Sequence, residues 1–123
     1  MKKLFFSLLI TLSTAASANI NCDQLSKLAD DNGVMYGTKY MFTLQGPKGF
    51  RSNFHSAPSA QCSIKNLFLI PNDTVIAYQQ FQNENYTWFY VMKKKKNGND
   101  TTGWMKEKDF KMTSRLSLNA PED

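Results

Sequence analysis

The chain holds one histidine, His55, and two cysteines, Cys22 and Cys62, among 123 residues, and that scarcity removes most catalytic chemistries. A lone histidine with scattered carboxylates does not make a zinc site. If the two cysteines pair with each other, no Cys–His couple is left for nucleophilic catalysis. The acidic pairs Asp30-Asp31 and Glu122-Asp123 are sequence neighbours and do not converge across a cleft as glycosidase carboxylates must. There is no glycine-rich phosphate loop and no internal repeat. No apolar run reaches the roughly 20 residues needed to span a bilayer. The chain therefore reads as a non-enzyme that needs no cofactor.

The first 18 residues have a clear layout. Lys2-Lys3 is a basic start, Leu4 to Leu12 a short apolar run, and Ala16-Ser17-Ala18 a small-residue box. These are the three parts of a secretory signal peptide, which predicts cleavage after Ala18 and a periplasmic or secreted bacterial protein. Ile20-Asn21 before Cys22 are not the small residues that lipoprotein processing requires. Cleavage leaves 105 residues, one compact domain with a modest core, and lowers the formal net charge from +5 to +3. That mild excess demands no polyanionic partner, and export argues against nucleic acid. An even cysteine count in an exported chain reads as one disulfide. On the chain-entropy model a bridge closing about 40 residues stabilises by about 4 kcal/mol.

Strand patterns dominate the rest. Cys22 to Asp31 carries Leu25, Leu28 and Ala29 at helical spacing, a short helix stopped by Asn32-Gly33. Gly37 to Gln45 is a strand, Gly46 to Gly49 a turn, Phe50 to His55 a second strand and Leu67 to Ile70 a short third. Pro71-Asn72-Asp73 is turn chemistry. Thr74 to Phe81, Tyr86 to Lys94 and Thr101 to Lys106 follow, joined by a polar turn at Gln82 to Glu84 and a hairpin signal at Asn97-Gly98. Lys108 to Phe110 reads as one tight helical turn and Ser114 to Asp123 as a polar tail. Short, closely spaced strands predict an all-β fold, a small barrel.

Residues Asn53 to Lys111 resemble the bacterial SH3-like (SH3b) domain family. The matching segments are Phe54-His55-Ser56-Ala57-Pro58-Ser59, Asn72-Asp73-Thr74-Val75-Ile76-Ala77, Trp88-Phe89-Tyr90-Val91, Gly103-Trp104-Met105 and Phe110. Departures are Ala57 where the family usually has Gly, a lysine-rich hairpin, and the preceding segment that holds Cys22. With the signal peptide over 1–18 set aside, the chain divides into an extension over 19–49 with a short helix tethered by the disulfide, the SH3-like barrel that the resemblance implies, over 50–113, and a tail over 114–123.

Side chains alternate faces along a strand. Val75, Ala77, Phe89, Val91 and Met105 are expected inside, which turns Ile76, Tyr78, Trp88, Tyr90, Met92 and Trp104 outward. An apolar outward face marks either a contact surface or a surface that the N-terminal segment covers; Trp88 and Trp104 are expected to stay partly exposed. The candidate binding residues are Phe54, His55, Tyr78, Trp88, Tyr90 and Trp104. Lys93 to Lys96 either guards a hairpin against edge-to-edge pairing or attracts an acidic partner. Two functions fit: a protein binder, similar to periplasmic inhibitors or immunity proteins that occlude a toxin or wall-degrading enzyme, or a peptidoglycan-binding module with a groove along Phe54, His55, Tyr78 and Trp104.

Overall fold

The computed structural model of the protein describes residues 20–95 and 98–115. The expected signal segment and its cleavage site, the Lys96-Asn97 step and the tail beyond residue 115 lie outside the described residues. Helix α1 (Cys22–Asn32) is followed by strands β1 (Val34–Leu44), β2 (Ser52–His55), β3 (Ser63–Leu69), β4 (Thr74–Asn83), β5 (Tyr86–Lys93), β6 (Thr101–Lys106) and β7 (Phe110–Arg115). Single 3-10 turns sit at Ala60–Cys62 and Glu107–Asp109.

The strands form one antiparallel sheet in the order β3-β2-β6-β5-β4-β1-β7. Its ladder is not closed: β3 and β7 are its two ends. The sheet nonetheless curls around a single core. Leu44, Phe54, Leu69, Val75, Ala77, Phe89, Val91 and Met105 are buried together, and Ile64 and Leu67 from one end strand and Phe110 from the other pack on them. The five residues expected to point inward are all in this cluster. On the opposite side of the sheet a second cluster gathers Trp88, Trp104 and Ala29 of α1.

Local chemistry accounts for the elements. Asn21 caps α1 by accepting the Gln24 N–H at 3.0 Å, and Asp23 sits in the first turn, where the helix dipole favours an acid. The helix is 11 residues long, three turns, and runs one residue beyond the expected Asp31. The β4–β5 connection is a two-residue loop, Glu84-Asn85, between the paired residues Asn83 and Tyr86. Both loop residues have positive φ, 55° and 65°, as a type I′ turn requires. The turn therefore lies one residue beyond the expected Gln82 to Glu84. Gly98, at φ 85°, lies in the connection between Lys93 and Thr101, which face each other across β5 and β6.

Three elements differ from the sequence expectation. Strand β1 begins at Val34 rather than Gly37 and passes through Gly37 at φ 73°, a conformation glycine adopts without penalty. It lies between β4 and β7, so the segment grouped with the extension supplies a strand inside the sheet. Strand β3 starts at Ser63, which pairs with His55, and the register shifts between that pair and Asn53–Phe68, so no regular apolar alternation marks its first half. Strand β7 is a polar edge strand, Phe-Lys-Met-Thr-Ser-Arg, with no hydrophobic period to reveal it.

Gly33 joins α1 to β1 where the helix end meets β4. A Cβ there would lie 2.6 Å from Gln79 Nε2, 2.8 Å from the Gln80 carbonyl oxygen and 2.9 Å from that of Ala29. Its φ of −76° suits any residue, so the constraint is one of space alone. Gly33→Ala should lower unfolding free energy by about 1–3 kcal/mol, the usual cost of overpacking. Urea denaturation measures this, and an unchanged midpoint would show that the helix end can move aside.

Candidate functional site

The outward face of the sheet is divided into a covered half and an open half. The covered half holds three of the six residues expected to bind a partner, Trp88, Trp104 and His55. Trp88 is 0% and Trp104 2% exposed, which corrects the expectation that the tryptophans are partly exposed. His55 is also buried, under the loop that follows it, and Phe54 points the other way, into the inner core at 1% exposure. Alternation along β2 explains that split: Phe54 and His55 are neighbours and must face opposite sides. Only Tyr78 and Tyr90 of the six keep half-buried side chains. The groove expected along Phe54, His55, Tyr78 and Trp104 is therefore not an open surface.

The cover consists of α1 and the loop from Ser56 to Cys62. Ala29 of the helix is buried in one cluster with both tryptophans. Ala57, Pro58 and Ser59 of the loop are buried. The Cys22–Cys62 disulfide, with Cα atoms 5.8 Å apart, ties the start of the helix to the end of the loop. At the other end of the helix Gln79, 2% exposed, donates its amide to the Ala29 and Asp30 carbonyl oxygens, each at 3.1 Å. The Ala29 carbonyl also accepts the Gly33 N–H at 2.8 Å, and that of Asp30 lies in the last turn, where helical partners run out.

The β4–β5 hairpin clamps the loop from beneath. Glu84 accepts from the Ser59 hydroxyl and from the Ala60 N–H at 2.9 Å. Asn83 donates its amide to the Pro58 carbonyl at 2.8 Å and accepts the Trp88 indole N–H on its own carbonyl at 3.0 Å. Sequence reading missed Gln79, Glu84 and Asn83 as structural ties, since a polar residue on a strand or turn shows no partner in the sequence.

His55 is held edge-on to Trp88, ring centroids 4.9 Å apart, with Nδ1 3.0 Å from the Trp104 carbonyl oxygen. A carbonyl only accepts, so Nδ1 carries the proton and donates. Burial lowers the pKa of the ring below its ordinary 6.5, against the bond to Trp104, which raises it; Lys106 also lowers it. The ammonium of Lys106 lies 4.3 Å from the Tyr86 ring centroid and 5.8 Å from that of Trp88.

The open half lies toward the β5–β6 hairpin. Met41 faces Ile76 across β1 and β4, and Ile76 faces Met92 across β4 and β5, so the three form a row across three strands. All three are half-buried. Tyr78 stands at an irregularity in the β4–β5 pairing and donates its hydroxyl to the Met92 sulfur at 3.3 Å. Burial, with Asp100 and Tyr90 nearby, raises the pKa of that phenol, which stays neutral. Tyr90 leans on Trp104 with centroids 5.4 Å apart and bridges the two halves. Lys93 and Lys94 edge the row, Lys93 within 3.8 Å of Asp73. Met41 was missed from the sequence because the β1–β4 register cannot be read from either strand alone.

Among the described residues no three His, Cys, Asp or Glu side chains come together as metal ligands could, and no helix is long and apolar enough to cross a membrane. Comparison with protein-family models, curated proteins and solved structures finds no match to this chain.

Two outcomes follow from the covered half. Trp88→Ala should destabilise the fold by about 3–5 kcal/mol, the scale of emptying an aromatic core site, read by loss of cooperative thermal unfolding near the wild-type midpoint. A fully stable variant would show that the cover collapses onto the sheet without the ring. His55 has a folded pKa below its unfolded value, so its neutral form contributes stability above about pH 6.5 that is lost as pH falls below it. Unfolding free energy should therefore drop below pH 6.5, by at most about 1.4 kcal/mol per pH unit, and His55→Gln should flatten that slope. An unchanged slope in the variant would assign the acid sensitivity elsewhere.

Proposed function

We propose that the protein is an exported, non-catalytic binding protein on an SH3-like barrel, which engages another protein as an inhibitor or toxin-immunity factor does. The barrel reading is supported by a sheet whose two end strands share one core and by the single 3-10 turn that leads into the last strand. The observation that carries the function is the division of the outward face. A fold that buries two tryptophans under a disulfide-tied cover leaves a row of methionine, isoleucine and tyrosine side chains beside it only partly shielded. Apolar surface of that kind is where protein partners dock. Binding of peptidoglycan along Phe54, His55 and Trp104 has less support, because those side chains are buried.

The test is recovery of tagged protein from the envelope of producing cells. The recovered chain should begin at Asn19 by mass spectrometry and should retain a protein partner in stoichiometric amount. It should not sediment with purified sacculi. A chain that still carries Met1, or one that binds sacculi and no protein, would overturn the reading.

A further inference from the structure

We infer that the row formed by Met41, Ile76 and Met92, with Tyr78 beside it, docks an acidic segment of the partner protein: a stretch with an aliphatic anchor flanked by carboxylates. This rests on the protein-binding reading above and names the surface and the chemistry of its occupant.

The geometry supplies the anchor site. Met41, Ile76 and Met92, with Thr74, Lys93 and Lys94, line a cleft of about 120 Å³. That is about four times the roughly 30 Å³ share of one liquid water, the scale of a branched aliphatic side chain. Two of its walls are methionines, unbranched and polarizable, which adapt to irregular apolar shapes. Tyr78 holds one of them in place through its bond to the Met92 sulfur.

The charge distribution supplies the flanks. Residues 19–123 carry thirteen Lys and Arg against ten Asp and Glu. Residues 93–100 alone carry four lysines and one aspartate. The remainder of 19–123 is then balanced at nine against nine, so the whole positive excess belongs to this stretch, whose Lys93 and Lys94 line the cleft. Lys93 is engaged by Asp73, while Lys94 and Lys95 are exposed. A local positive field beside an apolar cleft selects a partner with carboxylates around an apolar side chain, and speeds its encounter. An anionic polymer would satisfy the lysines and leave the apolar floor without a contact. A second copy of this chain would bring the same positive hairpin to the same place.

A larger cleft of about 290 Å³ lies between Gly46-Pro47, Phe50 and Lys108-Asp109. It offers no comparable recognition, since its one carboxylate, Asp109, already accepts from Ser52 and Lys108.

The test uses the protein beginning at Asn19 with carbon-13 on its methionine methyl groups. The probe is a blocked peptide of alternating Glu and Leu. Polyglutamate of equal charge, a Ser/Leu peptide of equal length and polyglycerol phosphate are the comparisons. The Glu/Leu peptide should shift the methyl signals of Met41 and Met92 and leave Met105, in the core, and Met112, on β7, in place. The double variant Lys94→Glu, Lys95→Glu, folded by circular dichroism, should bind at least about tenfold more weakly, a loss of about 1.4 kcal/mol, and added salt should weaken the wild type. Equal binding of polyglutamate or polyglycerol phosphate, a shift at Met112 instead, or no shift at all would overturn the inference. So would a concentration-dependent shift of Met41 and Met92 without peptide, which would assign the face to a second copy. If the envelope partner stays bound to the double variant, this surface is wrong and the binding reading stands. If the wild type retains no partner, the binding reading itself falls.

Discussion

Two indole rings on the outward side of a β-sheet have to be kept from water, and much of what surrounds this sheet does that. Trp88 and Trp104 stand on neighbouring strands β5 and β6. Left open they would expose a large apolar area beside a core that already lies on the other side of the sheet. The fold answers with a second layer made of one helix and one loop. Each part of that layer is too short to stay in place alone: a three-turn helix is marginal in water, and a seven-residue loop has little to pack. The disulfide joins one to the other, while Gln79 and Glu84 join both to β4 and the turn after it. Burial of the rings and anchoring of the cover are therefore one interaction, seen from two sides.

This dependence explains which parts of the molecule were legible in the sequence. Period-two alternation sorted Val75, Ala77, Phe89, Val91 and Met105 from Trp88, Tyr90 and Trp104 correctly, because the pleat fixes which side a residue faces. Alternation cannot say what lies over that side, and so the tryptophans were expected to be more open than they are. The pairing of Cys22 with Cys62 followed from compartment and count. Its role in tethering the N-terminal helix over the outward face was one of the two expected alternatives; that the residues beneath are the tryptophans was not, since that needs the helix placed across β4 to β6. Strand β7 was illegible for a physical reason as well. An edge strand that gives only Phe110 to the core needs no hydrophobic repeat, and Lys111 to Arg115 is an ordinary polar stretch.

The candidate site was half legible. Ile76, Tyr78, Tyr90 and Met92 face outward as the alternation implies, and the run of lysines is visible to the eye. Their row is extended by Met41, which reaches it only because β1 lies against β4. Long-range register is the part of β-structure a single strand does not carry. The covered and open halves also differ in kind. The covered half is tied by a disulfide and by the hydrogen bonds of Gln79, Asn83 and Glu84. The open half has flexible methionines and exposed lysines, the adaptable chemistry of a surface that meets something else.

The sheet order has a consequence for how the molecule comes into being. Strand β1, the first to be made, takes its place between β4 and β7, and α1 ahead of it rests on strands made late in the chain. Strand β1 is flanked on both sides only when the final strand has been delivered, and α1 has its full seat only after β6; the pairings β1–β4, β1–β7 and β2–β6 are distant in sequence, which slows folding. The bond from Cys22 to Cys62 has its two cysteines side by side only once both halves of the cover have arrived, so it closes on a sheet that is already largely made.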